Sequence, residues 1–266
     1  MTPCLQSSAR SVVTALFACC VLSVIAVPPA TAADPNANAG KDAGPPYVAI
    51  IGSGVDYRKP EIAKRLARDG EGVPIGWDFI DSDATPFDPD PEAAHPHRAF
   101  FADTANGSLV VVRAPANDTA KFVQAIGFVS QTPARVVVTP AIGNSAAMLA
   151  WVKAAAARFR HLLIVAPAGS GAHDLDQLPT TLNGTEGPVP DPAPPEVAKL
   201  RNLIIVTGTP SARANTGQRR VHIAVDVKTG TAQTSAQPSN QGGDASIIAA
   251  ARVAAIAAQL LAKTPD

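Results

Sequence analysis

Several groups of residues in this chain have the types and spacing that chemistry needs. Gly52-Ser53-Gly54 closes the apolar run VAII at 48–51, and a strand running into Gly-x-Gly is one way for a backbone to approach a pyrophosphate at a helix N-terminus. His95 and His97 stand two residues apart, close enough in sequence to share a metal. Asp78, Asp81, Asp83, Asp88 and Asp90 offer the oxygen ligands that calcium takes. His173, Asp174 and Asp176 follow the turn Gly169-Ser170-Gly171, and Ser246 opens a long Ala-rich stretch.

Spacing removes most of these readings. The third glycine position of a dinucleotide cradle holds Tyr57, and Pro60 falls where the first turns of the phosphate-binding helix belong, so the next helix must start at Pro60. Gly52 and Gly54 then form a tight turn, and Asp56 is a turn residue ahead of that helix. The aspartates match no EF-hand loop and read as a solvated acidic loop, so calcium has no support from spacing. His95 and His97 lack a clear third ligand, and no metal or cofactor is assigned.

The elements that must position these residues follow from composition and pattern. With 46% hydrophobic and 17% charged residues the chain is globular, not disordered. Lys+Arg and Asp+Glu are equal at 22 each, which gives no global field toward nucleic acid or an anionic bilayer. Arg10 precedes an apolar stretch from Val12 to Val27, followed by Pro28-Pro29 and the small-x-small sequence Ala30-Thr31-Ala32. Residues 1–32 therefore read as a secretory signal peptide, with no membrane contact after its removal and a periplasmic or secreted destination. Cys4, Cys19 and Cys20 leave with it, so the mature chain has no disulfide framework and no thiol nucleophile.

Residues 33–46, rich in Ala, Asn, Gly and Pro, read as a flexible lead-in, with order beginning at Tyr47. Short continuous apolar runs at 48–51, 108–114, 135–143, 161–169 and 202–209 alternate with helical stretches at 60–70, 118–131, 146–159 and 245–263. Strands that are apolar throughout, separated by helices, predict an α/β domain over 47–266: three αβα layers around a mostly parallel sheet. The Pro- and Gly-rich segment 180–199 is a long surface loop. Asn106, Asn117 and Asn183 fit the glycosylation pattern.

VAIIGSGVDYRKPEI, GWDFIDSDATPFDPDPEAAHPH, RVVVTPAIG, LLIVAPAGSGAHDLD, NLIIVTGT and ASIIAAARVAAIAAQLLA resemble, in this order, the landmarks of the subtilisin-like serine peptidases. The resemblance covers nearly the whole mature chain and implies a degenerate member. In that family the first landmark ends in Asp-Thr-Gly, the second runs into His-Gly-Thr-His, the strand before the long loop ends in Ala-Gly-Asn, and the last carries the serine. Here the orienting carboxylate corresponds to Gly52, the imidazole to His95, the oxyanion Asn to Ser170, and the nucleophile to Ile247, with Ser246 one residue early. His173 to Asp176 matches an Asp-Leu-Asp that the family uses structurally. Residues 33–46 are too few for the folding-assisting propeptide common in secreted members.

Triad chemistry needs a hydroxyl, an imidazole to take its proton and a carboxylate to hold that imidazole in the right tautomer. In subtilisin, losing the Ser or His costs roughly 2 × 10⁶ in turnover and losing the Asp roughly 3 × 10⁴. A shift from Ile247 to Ser246 turns the side chain by about 100° around the helix, off the face that meets the imidazole. The resemblance thus implies an exported pseudopeptidase, expected as a monomer, that binds polypeptide. The alternative is an active serine endopeptidase in which His95 works with Ser246 and a displaced acid such as Asp56.

Overall fold

The computed structural model describes residues 34–89, 107–115, 118–178, 200–209, 214–227 and 243–264. The expected leader, Asp90, His95, His97, the three asparagines of the glycosylation pattern and the segment 180–199 expected as a loop lie outside the described residues.

Continuous apolar runs become strands buried on both faces. In chain order the elements are β1 (Tyr47–Gly52), α1 (Pro60–Ala63), β2 (Gly76–Asp78), β3 (Ser108–Arg113), α2 (Thr119–Val129), β4 (Val136–Val138), α3 (Ala146–Arg158), β5 (Leu163–Pro167), a 3₁₀ turn (Leu175–Gln177), β6 (Leu203–Thr209), β7 (Ile223–Asp226) and α4 (Gly243–Lys263). The strands form one seven-stranded sheet in the order β2-β3-β1-β4-β5-β6-β7. Every pairing is parallel, and Ile50 at the centre stands opposite Val111 on one side and Val138 on the other.

Alternation along the strands divides the core in two. Ala49, Ile51, Val110, Val112, Val137 and Ile164 face α2 and α3, meeting Phe122, Ile126, Leu149 and Val152. Val48, Ile50, Leu109, Val111, Val138 and Val206 face the other way, onto Ile62 of α1 and Ala249, Ala250, Ala254 and Ala255 of α4. Asp118 and Ser145 cap α2 and α3, their side chains accepting the Lys121 and Met148 N–H groups at 3.0 and 3.1 Å. By length and composition alone α4 could cross a membrane, but its alanine face packs on the sheet.

Two expectations change. The helix predicted over 60–70 stops after one turn, because the backbone beyond it is drawn to the sheet. Leu109 N–H donates to Arg65 O at 2.7 Å, and Ala67 N–H donates to Leu109 O at 2.8 Å. The lead-in lacks helix and strand, as its composition implies, yet from Asp34 onward it is fastened rather than flexible. Tyr57 donates its hydroxyl to Pro35 O at 2.6 Å, and Gly40 N–H donates to Gly72 O at 3.0 Å. Asp42 accepts the hydroxyls of Tyr47 and Ser108 at 2.5 and 2.7 Å. The buried Arg68 guanidinium donates to Asn38 O and Gly72 O, both at 2.8 Å, and to Ala63 O at 2.9 Å. Burial pushes the Asp42 carboxyl up, but the donated hydroxyls outweigh it and hold it below its ordinary value, while Tyr47 is pushed up to about 12 by its bond to Asp42.

Arg68→Ala strips three carbonyls of their donor and should lower the unfolding free energy by about 3 kcal/mol in a denaturant melt, with residues 34–46 becoming the first site of limited proteolysis. Unchanged stability and protection would mean the strap is held by other contacts.

Candidate functional site

A parallel sheet covered on both faces presents its chemistry at the carboxyl ends of its strands. Val48, Ile50 and Gly52 share the α4 side of β1, and Leu109, Val111 and Arg113 share that side of β3. Gly52 is in register with Arg113, and Arg113 with Asp78. The three therefore stand in a row across β1, β3 and β2.

That row holds an ion-pair cluster in place of a lone carboxylate. Arg113 donates from Nη1 to Asp78 Oδ2 and Asp81 Oδ2, both at 2.7 Å, and lies 3.9 Å from Asp34. Asp78 is fully buried, and its Oδ1 accepts the Ile80 and Asp81 N–H groups at 2.6 and 3.1 Å. Burial pushes the Asp34 carboxyl up; Arg113 pulls it down, but Asp81, Asp83 and Asp78 add to the rise, which prevails. The expectation of a solvated acidic loop is thus corrected at Asp78, whose desolvation is offset by a cation and two backbone donors. Carboxylate oxygens of Asp34, Asp78 and Asp81 lie within 4.8 Å of one another, an arrangement that could cage a metal ion, and the Arg113 guanidinium bonds two of the three.

At Gly52 itself a β-carbon would meet nothing within 4 Å, so the strand end has space for a side chain that the sequence does not supply. Asp56, the displaced acid of the alternative reading, is committed elsewhere. Its carboxylate accepts Arg58 Nε at 2.8 Å, Nη2 at 3.1 Å and the Arg58 backbone N–H at 3.2 Å. Those bonds hold it below the usual carboxylate range and make it the turn residue ahead of α1.

The other candidate positions converge around the first turn of α4. Gly208 of β6 lies so close to it that a β-carbon would stand 2.3 Å from Ala245 O. Ser246 is fully buried and its Oγ accepts the Gly169 N–H at 3.0 Å, while Ile247 is partly buried. Gly169 has φ +88°, and a β-carbon there would stand 2.6 Å from Gly143 N. Ser170 follows, partly buried and bridged to Ala214. The structure thus brings Ser246 and the Gly169-Ser170 turn together and places Gly52 at the same edge of the sheet, on the side covered by α4. His95 lies outside the described residues.

Two residues that sequence reasoning missed organise this edge. Arg113 ends an apolar run and gave no sign that a buried carboxylate awaited it. Asn215, fully buried, donates from Nδ2 to Gly143 O at 2.7 Å and Ala168 O at 2.9 Å, and its Oδ1 accepts the His173 N–H at 3.0 Å. Its own N–H donates to Gly169 O at 3.1 Å, and its carbonyl accepts the Thr207 hydroxyl at 2.8 Å. One side chain so fixes three loops, a role with no local sequence signature. The acidic residues beyond His173 are structural: Asp174 accepts the Asp176 N–H at 2.9 Å, and Asp176 accepts the Arg219 N–H at 3.0 Å.

No family model matches the sequence, and no curated protein matches it either. Among solved structures, a cold adapted subtilisin-like serine proteinase superposes with a TM-score of 0.56 at 20% identity, over 87% of this chain and 80% of that one. A lanthipeptide protease superposes with a TM-score of 0.55 at 17% identity, over 80% of this chain and 71% of that one. The fold is subtilisin-like.

Gly52→Asp should fold with stability within about 1 kcal/mol of the parent, since the site is open and a strand glycine is entropically costly. The introduced carboxyl should titrate below a free aspartate because Arg113 neighbours it. A denaturant melt and an NMR titration check both; a loss of several kcal/mol would show that the strand end is closed.

Proposed function

We propose that this chain is an exported polypeptide-binding protein, a pseudopeptidase that keeps the subtilisin-like scaffold without a working triad. The observation that carries this reading is Gly52: the strand end that would hold the orienting carboxylate is open, and its neighbour in register is a cation. An imidazole without that carboxylate loses the tautomer and the charge partner that make it a base. Ser246 supports the reading from the other side, since it lies in the core and its oxygen accepts a backbone N–H. Polypeptide binding does not need these groups. An extended chain added to a strand edge is held by backbone hydrogen bonds, which survive loss of catalytic side chains. The two solved structures reported above are, by their names, a proteinase and a protease of lanthipeptides, which supports a polypeptide as ligand class.

An active endopeptidase built from His95, Ser246 and Asp56 would require Asp56 to leave its Arg58 pair and Ser246 to leave Gly169. The test uses protein recovered from the exported fraction, with its N-terminus sequenced to locate leader cleavage. Treatment with a fluorophosphonate probe should give no covalent adduct, an unfolded protein substrate should stay intact, and extended peptides should bind in a calorimetric titration. Labelling that disappears in Ser246→Ala would overturn the inert reading; absence of any peptide binding would overturn the binding role.

A further inference from the structure

His222 precedes β7 and satisfies both backbone groups of one residue on β6. Its N–H donates to Ile205 O at 2.9 Å, and its Nδ1 accepts the Ile205 N–H at 2.8 Å. In an ordinary parallel ladder a residue's outward N–H and C=O go to backbone groups of the neighbouring strand; here an imidazole replaces one of them. Beyond this point the register runs from Val206 opposite Ile223 to Thr209 opposite Asp226, and Val227 N–H donates to Thr209 O at 2.8 Å. β7 is an edge strand of four residues, with Ile223, Ala224 and Asp226 exposed. Among the described residues it is the last strand before α4, whose first turn carries Ser246 and Ile247.

We propose that His222 is a pH-sensitive clip, fastening β7 to β6 while its imidazole is neutral and releasing the strand when Nδ1 takes a proton. Nδ1 accepts through its lone pair; once protonated, it would set one N–H against another, and the Ile205 N–H would lose its acceptor. His222 is exposed as a residue, and the partial burial of its imidazole still pushes it below its ordinary value. A base depressed in the folded state contributes stability that is complete above about pH 6.5 and declines as the pH falls below it.

Among the described residues, the surrounding charges supply no competing partner. β6 has no titratable side chain, and the described carboxylate of β7, Asp226, stands four residues along, at the far end of the strand from His222. Arg219 pairs with Asp176, Arg220 donates to Leu178 O at 2.8 Å, and Arg252 of α4 reaches Asp226 O at 3.5 Å. Arg201 ahead of β6 is exposed, and α3 contributes Lys153 and Arg158. This clip is independent of what the cleft binds, so it stands or falls apart from the proposed function.

Amide hydrogen exchange on the full chain, at about pH 7.5 and about pH 5 and corrected for the intrinsic pH dependence, tests it. Peptides covering 203–209 and 223–226 should lose roughly tenfold protection at the lower pH in the parent chain, the effect of one lost hydrogen bond. His222→Asn supplies an oxygen near the position of Nδ1 that does not titrate, and should keep protection at both values. His222→Ala should be unprotected at both. Equal protection of the parent at both values, or a pH-dependent loss in His222→Asn matching the parent's, would overturn the clip, and neither result depends on the alanine variant folding.

Discussion

Close packing of α4 on the sheet, with Gly208 pressed against Ala245 O and Ser246 bonded to Gly169, sets what this edge of the molecule can do. The helix approaches so closely because its inner face is alanine, at 249, 250, 254, 255 and 258. A polar group drawn into such an interface must find a partner there, and Ser246 finds the N–H of the glycine turn. Its hydroxyl therefore anchors the helix to the loop after β5. The same turn is held from its other side by Asn215, which ties the Gly143, Gly169 and His173 segments to one side chain.

The charge at the sheet edge has a similar logic. Without a carboxylate on β1, the acid and the cation of this face sit on β2 and β3 as Asp78 and Arg113, and each neutralises the other in a place that water barely reaches. Ion pairs of this kind contribute little net stability but are costly to break from one side. They fix the register of β2 against β3, with Gly52 in register with Arg113 while the guanidinium turns to Asp78 and Asp81. A carboxylate oriented by an imidazole and one oriented by an arginine are different devices, and the row across β2, β3 and β1 is built for the second.

Much of the architecture is legible in the amino-acid sequence because burial on both faces produces apolar runs without alternation. VAII, SLVVVR, LLIVAP and NLIIVTGT could scarcely be anything but central strands flanked by helices. The edge strands were not legible: β2 is three residues, Gly-Trp-Asp, too short to show a pattern although Gly76 and Asp78 are buried, and β7 is Ile-Ala-Val-Asp with three of its four residues exposed. The helix after Pro60 looked longer than it is because an apolar periodicity cannot reveal that Leu109, more than forty residues away, takes the backbone at Arg65 and Ala67. Residues 34–46 have the composition of a linker, and only tertiary bonds to Arg68, Tyr57, Gly72, Tyr47 and Ser108 reveal them as a strap. Of the site positions carried by resemblance to subtilisin-like landmarks, Gly52, Ser170, Ser246 and Ile247 are described and His95 is not, and the residues that organise this edge, Arg113 and Asn215, come from tertiary contacts that no local pattern records.

The central claim is that no carboxylate orients the imidazole of His95. A crystal structure of the full chain with that side chain in clear density, together with the ¹⁵N shifts of the ring, addresses it most directly. The account predicts that no aspartate or glutamate oxygen lies within hydrogen-bonding distance of His95 Nδ1 and that the Ser246 hydroxyl stays on Gly169. A carboxylate bonded to Nδ1, with a serine hydroxyl on the opposite nitrogen, would contradict it.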